Sequence, residues 1–110
     1  MIHKQLLDLP PVRTGPCEKY RHLFEQYDWD VPTAMAVSQA ESWCKATAVS
    51  PSDDHGVTQI HQGRALYGAV IYDPATNIKI AYEVKYLNGG WGHWTQYKNG
   101  EYLKYIDVYR

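Results

Sequence analysis

The residue whose surroundings in the chain ask most of it is Glu41. It follows Ala34 by seven positions and Val37 by four, so the three share one helix face, in a stretch where Ala34, Met35, Ala36, Val37 and Ala40 cover most of the cylinder. An ionisable side chain on a buried helix is unfavourable unless it is paired or used. Its available chemistry is proton donation, because desolvation disfavours the carboxylate and lets the acid keep its proton near neutral pH. Structural burial against a partner elsewhere in the chain is the alternative. Asp53 and Asp54 follow in a polar loop, where acidic residues are ordinary solvated turn formers. His22, His55, His61 and His93 read as scattered surface histidines. His55 and His61 stand six apart without further ligands and no Cys-x-x-Cys occurs, so neither a metal site nor a cofactor is expected.

Cys17 and Cys44 form an even count and flank two predicted helices whose ends could meet. A disulfide between them would close a loop of about 27 residues and contribute roughly 3 kcal/mol, mainly by restricting the unfolded chain. Two buried thiols are the alternative.

The elements that must position these residues follow from pattern and punctuation. With 110 residues, 45% apolar and 14% aromatic, the chain can build one core but hardly two. Residues 1–16 hold Pro10, Pro11, Gly15 and Pro16 and predict an extended arm, leaving 17–110 as the folded domain. Tyr20, Leu23, Phe24 and Tyr27 fall at helical spacing and predict a first helix over Cys17–Tyr27. Asp30 followed by Val31 and Pro32 starts a second helix that runs to about Trp43. Ala48–Gly56 reads as a loop, and Val57–Ile60 as a short strand or half of a small hairpin. Asp73-Pro74 starts a further helix ending near Leu87, stopped by Gly89 and Gly90. Trp91–Tyr109, with the Asn99-Gly100 turn signal, predicts short helical turns packing an aromatic wall.

Composition narrows the function classes. Eleven basic against twelve acidic residues leave no electrostatic footprint for nucleic acid. No apolar run approaches the roughly 20 residues of a membrane span, and Met1 to Pro11 lacks the apolar region of a signal peptide. The chain is therefore expected to be soluble, its export requiring a removed signal, a larger parent protein or release by lysis. Ten Tyr and four Trp against one Phe give flat surfaces with a hydrogen-bonding edge, which suit sugar rings, although core filling is the plainer use of any one of them.

Ala40-Glu41-Ser42-Trp43, then Ala48-Val49-Ser50-Pro51, then Gly56-Val57-Thr58-Gln59-Ile60 resemble the signature of soluble lytic transglycosylases and lysozyme-like domains. Asp73-Pro74-Ala75-Thr76-Asn77-Ile78 is similar to that family's Asp-Pro-x-x-Asn-Ile helix opening, and Trp94 to Gly100 to its closing aromatic segment. The likeness spans roughly Cys17 to Tyr105. Two positions depart from it: Thr58 stands where the family usually has a bulky apolar residue, and Lys98 where it often has Asn. Asp54-His55-Gly56-x-x-Gln59-Ile60 also resembles a stretch of chicken-type lysozymes whose Asp is the second carboxylate.

What the resemblance implies is a mainly α, α+β lysozyme-like fold: a helical bundle around a buried helix, with a small β-hairpin lining the cleft. It implies Glu41 and Asp54 as a catalytic pair, with Ser42, Gln59, Ile60, Trp94 and Tyr97 contacting substrate. The expected partner is the glycan strand of peptidoglycan, cut at the β-1,4 bond between N-acetylmuramic acid and N-acetylglucosamine. A lytic transglycosylase leaving 1,6-anhydro ends is the alternative, and a catalytically silent glycan-binding module the third reading. The workplace implied is extracellular or the cell wall, for a secreted or phage-borne monomer.

Overall fold

Two helices carry the architecture, and one local device starts both. The Asp30 carboxylate accepts the backbone N–H of Thr33 at 3.1 Å and that of Asp73 accepts Thr76 N–H at 2.9 Å, with Pro32 and Pro74 in the first turns. Each cap satisfies an amide that the helix itself leaves without a partner. The structure is a computed structural model describing residues 14–110, so most of the arm expected over 1–16 lies outside the described residues.

In chain order, a 3₁₀ turn (Glu18–Tyr20) runs into α1 (Arg21–Phe24), followed by α2 (Val31–Ser42) and an antiparallel pair, β1 (Asp54–His55) and β2 (Ile60–His61). Then come α3 (Gly63–Tyr67), a 3₁₀ turn (Gly68–Tyr72), α4 (Pro74–Leu87), α5 (Thr95–Lys98) and two further 3₁₀ turns, Glu101–Lys104 and Ile106–Tyr109. The class is mainly α with one small hairpin, as the resemblance implied. No helix among the described residues is long and apolar enough to cross a membrane.

The centre is α2. Residues Ala34 through Gln39 are all buried, and α1, α5 and the two C-terminal 3₁₀ turns pack around the helix. Its polar members are engaged: the Ser38 hydroxyl donates to Ala34 O at 2.8 Å, and Gln39 Oε1 accepts the Tyr109 hydroxyl at 2.6 Å. Tyr109 Oη in turn accepts the Cys17 amide at 3.2 Å, and a Cβ on Gly15 would lie 2.3 Å from that oxygen. The chain thus needs glycine where it passes Tyr109. Cys17 and Cys44 form a disulfide with 5.2 Å between their Cα atoms, tying the start of the domain to the end of α2.

Three local expectations are corrected. The first helix is not continuous over Cys17–Tyr27: it divides into a 3₁₀ turn and α1, which ends at Phe24. The Phe24 carbonyl, which would accept the next helical amide, instead receives the indole N–H of Trp29 at 2.8 Å. The loop expected over Ala48–Gly56 contains β1, whose His55 also bridges to Val49. Val57–Ile60 is mostly not strand, because Gly56 (φ 82°) and Gln59 (φ 59°) turn the backbone left-handed, and only Ile60 joins β2. Two elements carried no expectation, α3 and the Gly68–Tyr72 turn.

What bends Gly56–Gln59 is a buried side chain from α4. Asn77 Oδ1 accepts the Thr58 amide at 2.8 Å and the Thr58 hydroxyl at 2.6 Å, while its Nδ2 donates to His55 O at 3.0 Å and Ile71 O at 2.9 Å. A Cβ on Gly56 would meet Asn77 Nδ2 at 2.2 Å, so the left-handed φ and the close approach both demand glycine there. A buried polar atom left without its partner costs about 1–3 kcal/mol. Asn77→Ala strands several at once and is expected to lower unfolding free energy by about 3 kcal/mol or more, read from urea midpoints. A loss below about 1 kcal/mol would show that the clamp contributes little.

Candidate active site

Glu41 is positioned by the way α2 stops. Trp43 (φ 57°) and Cys44 (φ 53°) both adopt the left-handed conformation that ends the helix, and the disulfide anchors the second of them. One residue inside that end, the Glu41 side chain is half-buried just past the fully buried run, and its Oε2 accepts the backbone N–H of Gln96 from α5 at 3.3 Å. Burial pushes the carboxyl above its ordinary value, the Gln96 amide pulls it partly back, and the negative charge of Asp54 adds to the rise. Glu41 is thus a carboxylic acid biased to keep its proton, with a second carboxylate near enough to be felt.

That second carboxylate is shaped the opposite way. Asp54, on β1, accepts Ser52 Oγ at 2.6 Å and Ser50 Oγ at 2.9 Å on Oδ2, and His61 Nδ1 lies 3.1 Å from Oδ1. Partial burial raises its pKa, but the Ser52, Ser50 and His61 contacts outweigh this and hold the carboxyl below its ordinary range. Asp54 and His61 are direct cross-strand partners, which puts both side chains on one face of the hairpin.

The other predicted site residues divide into two groups. Gln59, Ile60 and Trp94 line a pocket of about 250 Å³ together with His61, Gln62, Leu66, Tyr67, Val84 and His93. Glu41, Asp54, Ser42 and Tyr97 are not among its lining residues, and His61 connects the pocket to Asp54. Much of the polar capacity of these residues holds the structure together. Ser42 Oγ contacts Val57 O and Ser38 O, Gln59 Nε2 donates to Gly56 O at 2.9 Å and Ala48 O at 3.1 Å, and Trp94 Nε1 donates to Thr58 O at 2.8 Å. Tyr97 stacks between Tyr102, at 4.8 Å, and Trp91, at 6.2 Å.

Sequence reasoning missed Ser50, Ser52, His61, Asn77 and the Gln96 amide. Ser50 and Ser52 precede Asp54 by four and two positions, a serine pattern around an acid that could have been weighed. The Gln96 contact is through backbone and left no side-chain signal. The histidines are not uniformly on the surface: His55 is buried, with Nε2 2.5 Å from Asp53 Oδ1 and Nδ1 2.8 Å from the Tyr72 hydroxyl. That chain of contacts locks the strand carrying Asp54 to the Gly68–Tyr72 turn. All non-glycine residues with positive φ among those described, Trp43, Cys44, Asp53, Gln59 and Gln62, lie at or beside these candidate residues. Such backbone is unfavourable by about 1–3 kcal/mol per residue and persists where surrounding contacts enforce it, often at functional sites. Among the described residues, no group of three or more His, Cys, Asp or Glu is arranged to hold a metal ion.

A family model described as a lysozyme-like domain matches residues 26–96, which span Glu41, Asp54, the Gly56–Gln59 turn, Asn77 and Gln96. No curated protein and no solved structure matches the chain.

The raised pKa of Glu41 has a consequence for stability. A carboxyl that binds its proton more tightly folded than unfolded stabilises the fold fully below its unfolded pKa, and that contribution is lost as pH rises through the folded value. Glu41→Gln removes the titration and keeps the shape. Its melting temperature is expected to match wild type at about pH 3.5, below the ordinary value of 4.5, and to exceed it increasingly toward about pH 7. A difference that stays constant across that range in paired melts would contradict the desolvated acid.

Proposed function

This chain belongs to the lysozyme-like domain family, and on that premise we propose that it is a peptidoglycan-cleaving glycosidase, a muramidase, with Glu41 as general acid. The observation that carries this reading is the contrast in surroundings of two carboxyls. Glu41 is half-buried with a single backbone amide on it, whereas Asp54 is held by Ser52, Ser50 and His61, so burial lifts the first and these contacts depress the second. Carboxyls whose environments push their pKa values apart are the usual equipment for one protonated and one ionised role in glycoside cleavage.

In this mechanism Glu41 gives its proton to the glycosidic oxygen between N-acetylmuramic acid and N-acetylglucosamine, a poor leaving group until it is protonated. Positive charge develops at the sugar's anomeric carbon and ring oxygen, and the Asp54 carboxylate stabilises it. Glu41, now ionised, takes a proton from the incoming water, and the product carries a reducing end. Ile60, Gln59 and Trp94 supply one wall of the pocket in which a neighbouring sugar lies. The disulfide supports a workplace outside the reducing cytosol, in the cell wall or the extracellular space.

Both Asp54 oxygens are already engaged, Oδ2 by two serine hydroxyls and Oδ1 by His61, which suits this charge-stabilising role better than covalent attack. A second reading needs no carboxyl besides Glu41. In a lytic transglycosylase the substrate's own 6-hydroxyl closes on the anomeric carbon, giving a 1,6-anhydro product with Glu41 as the acid. Mass spectrometry of digested muropeptides separates the readings, since anhydro products are lighter by one water. Glu41→Gln is expected to fold and to lose at least about a hundredfold in activity, the scale of a lost general acid. Asp54→Asn is expected to fold and lose most activity if the products are reducing sugars. Wild-type rates in Glu41→Gln would remove the central claim, and anhydro products with an active Asp54→Asn would move the assignment to the transglycosylase. Absence of any product from wild type would leave a binding module.

A further inference from the structure

We propose that His61 is a positioning residue of this cleft, fixing the Asp54 carboxylate across the hairpin while lining the pocket beside it. The inference rests on the reading of Asp54 as the second carboxylate. Its basis is geometric: Asp54 and His61 are register partners of β1 and β2, and His61 Nδ1 lies 3.1 Å from Asp54 Oδ1. His61 thus contacts Asp54 and also lines the pocket shared by Gln59, Ile60 and Trp94.

Ser50 and Ser52 both bond Oδ2, so Oδ1 depends on His61 for its place. Without that contact the carboxylate would keep one anchored oxygen and gain freedom to rotate about it. The charge environment separates His61 from its neighbours. Glu41, from α2, repels the Asp54 charge. Asp53 is engaged by His55, and Arg64 of α3 lies 6.0 Å from the Tyr72 ring centre. Packed against β2, α4 carries Lys79, Glu83 and Lys85, and His93 also lines the pocket. The groups that favour the Asp54 carboxylate are Ser52, Ser50 and His61, and of these only His61 can carry charge.

The consequence is an ordered series. His61→Asn keeps a donor but no charge, and His61→Leu keeps neither. The His61 side chain is 66% exposed, so both variants are expected to fold, which thermal melts verify. Two readouts follow Asp54: the side-chain ¹³C carboxyl titration, which needs no turnover, and the acid limb of kcat/KM on a peptidoglycan suspension. Both midpoints are expected to move to higher pH in His61→Asn and further in His61→Leu. The neutral-pH rate is expected to fall roughly tenfold in His61→Leu and to recover largely in His61→Asn. An Asp54 titration in His61→Leu that coincides with wild type would overturn the proposal even if Asp54→Asn is inactive. A fully active Asp54→Asn would instead remove the reading of Asp54, and the proposal with it.

Discussion

The constraint on which the rest depends is the carboxamide of Asn77. Buried in α4, it makes four hydrogen bonds, and three of its contacts reach segments distant in sequence: the His55 carbonyl and the Thr58 amide and hydroxyl. These fix the Gly56–Gln59 turn, and the turn fixes what surrounds it. Val57 O meets Ser42 at the end of α2, and Thr58 O receives the Trp94 indole at the start of α5. The helix carrying Glu41, the strand carrying Asp54 and the helix whose amide reaches Glu41 therefore converge on one turn. Thr58 belongs to this system. Where a larger apolar side chain would fill space, its hydroxyl adds a second bond to Asn77, and the residue is fully buried nonetheless.

The aromatic residues divide their work between packing and bonding. Tyr27, Trp29, Tyr82, Trp91, Tyr97 and Tyr102 form a continuous run of stacked and edge-on rings that joins the segment after α1 to α4, α5 and the first C-terminal turn. Their polar edges explain why Phe would not serve equally at key places. Trp29 and Trp94 donate to backbone carbonyls, and Tyr109 both donates and accepts inside the core. No buried side-chain nitrogen or oxygen among the described residues lacks a partner, as a small core with many polar aromatics requires.

Legibility in sequence followed the range of the interactions. The Asp30 and Asp73 caps, the buried character of α2 and the burial bias on Glu41 are local consequences of neighbouring residues, and each could be read from a few letters. The division and early end of the first helix could not, because the competing contacts come from Tyr109, whose hydroxyl accepts the Cys17 amide, and from Trp29, whose indole donates to Phe24 O. Val57 and Thr58 look β-prone, yet Asn77, nineteen positions beyond Thr58, outweighs that preference. The same logic hid the environment of Asp54. Its sequence neighbours suggested a solvated loop, whereas the hairpin register that delivers His61 exists only after Asn77 has bent the turn.

Tyr109 gives the fold a timetable. Its hydroxyl joins Gln39, 70 positions earlier, to Cys17, 92 positions earlier, and its backbone carbonyl receives Arg21 at 2.9 Å. Contacts of such separation form late, after the intervening chain has been ordered. During synthesis α2 leaves the ribosome long before the residue that closes its polar face at Gln39. Until residue 109 emerges, the hydrogen bond to Gln39 cannot form, and that side of α2 stays open to water.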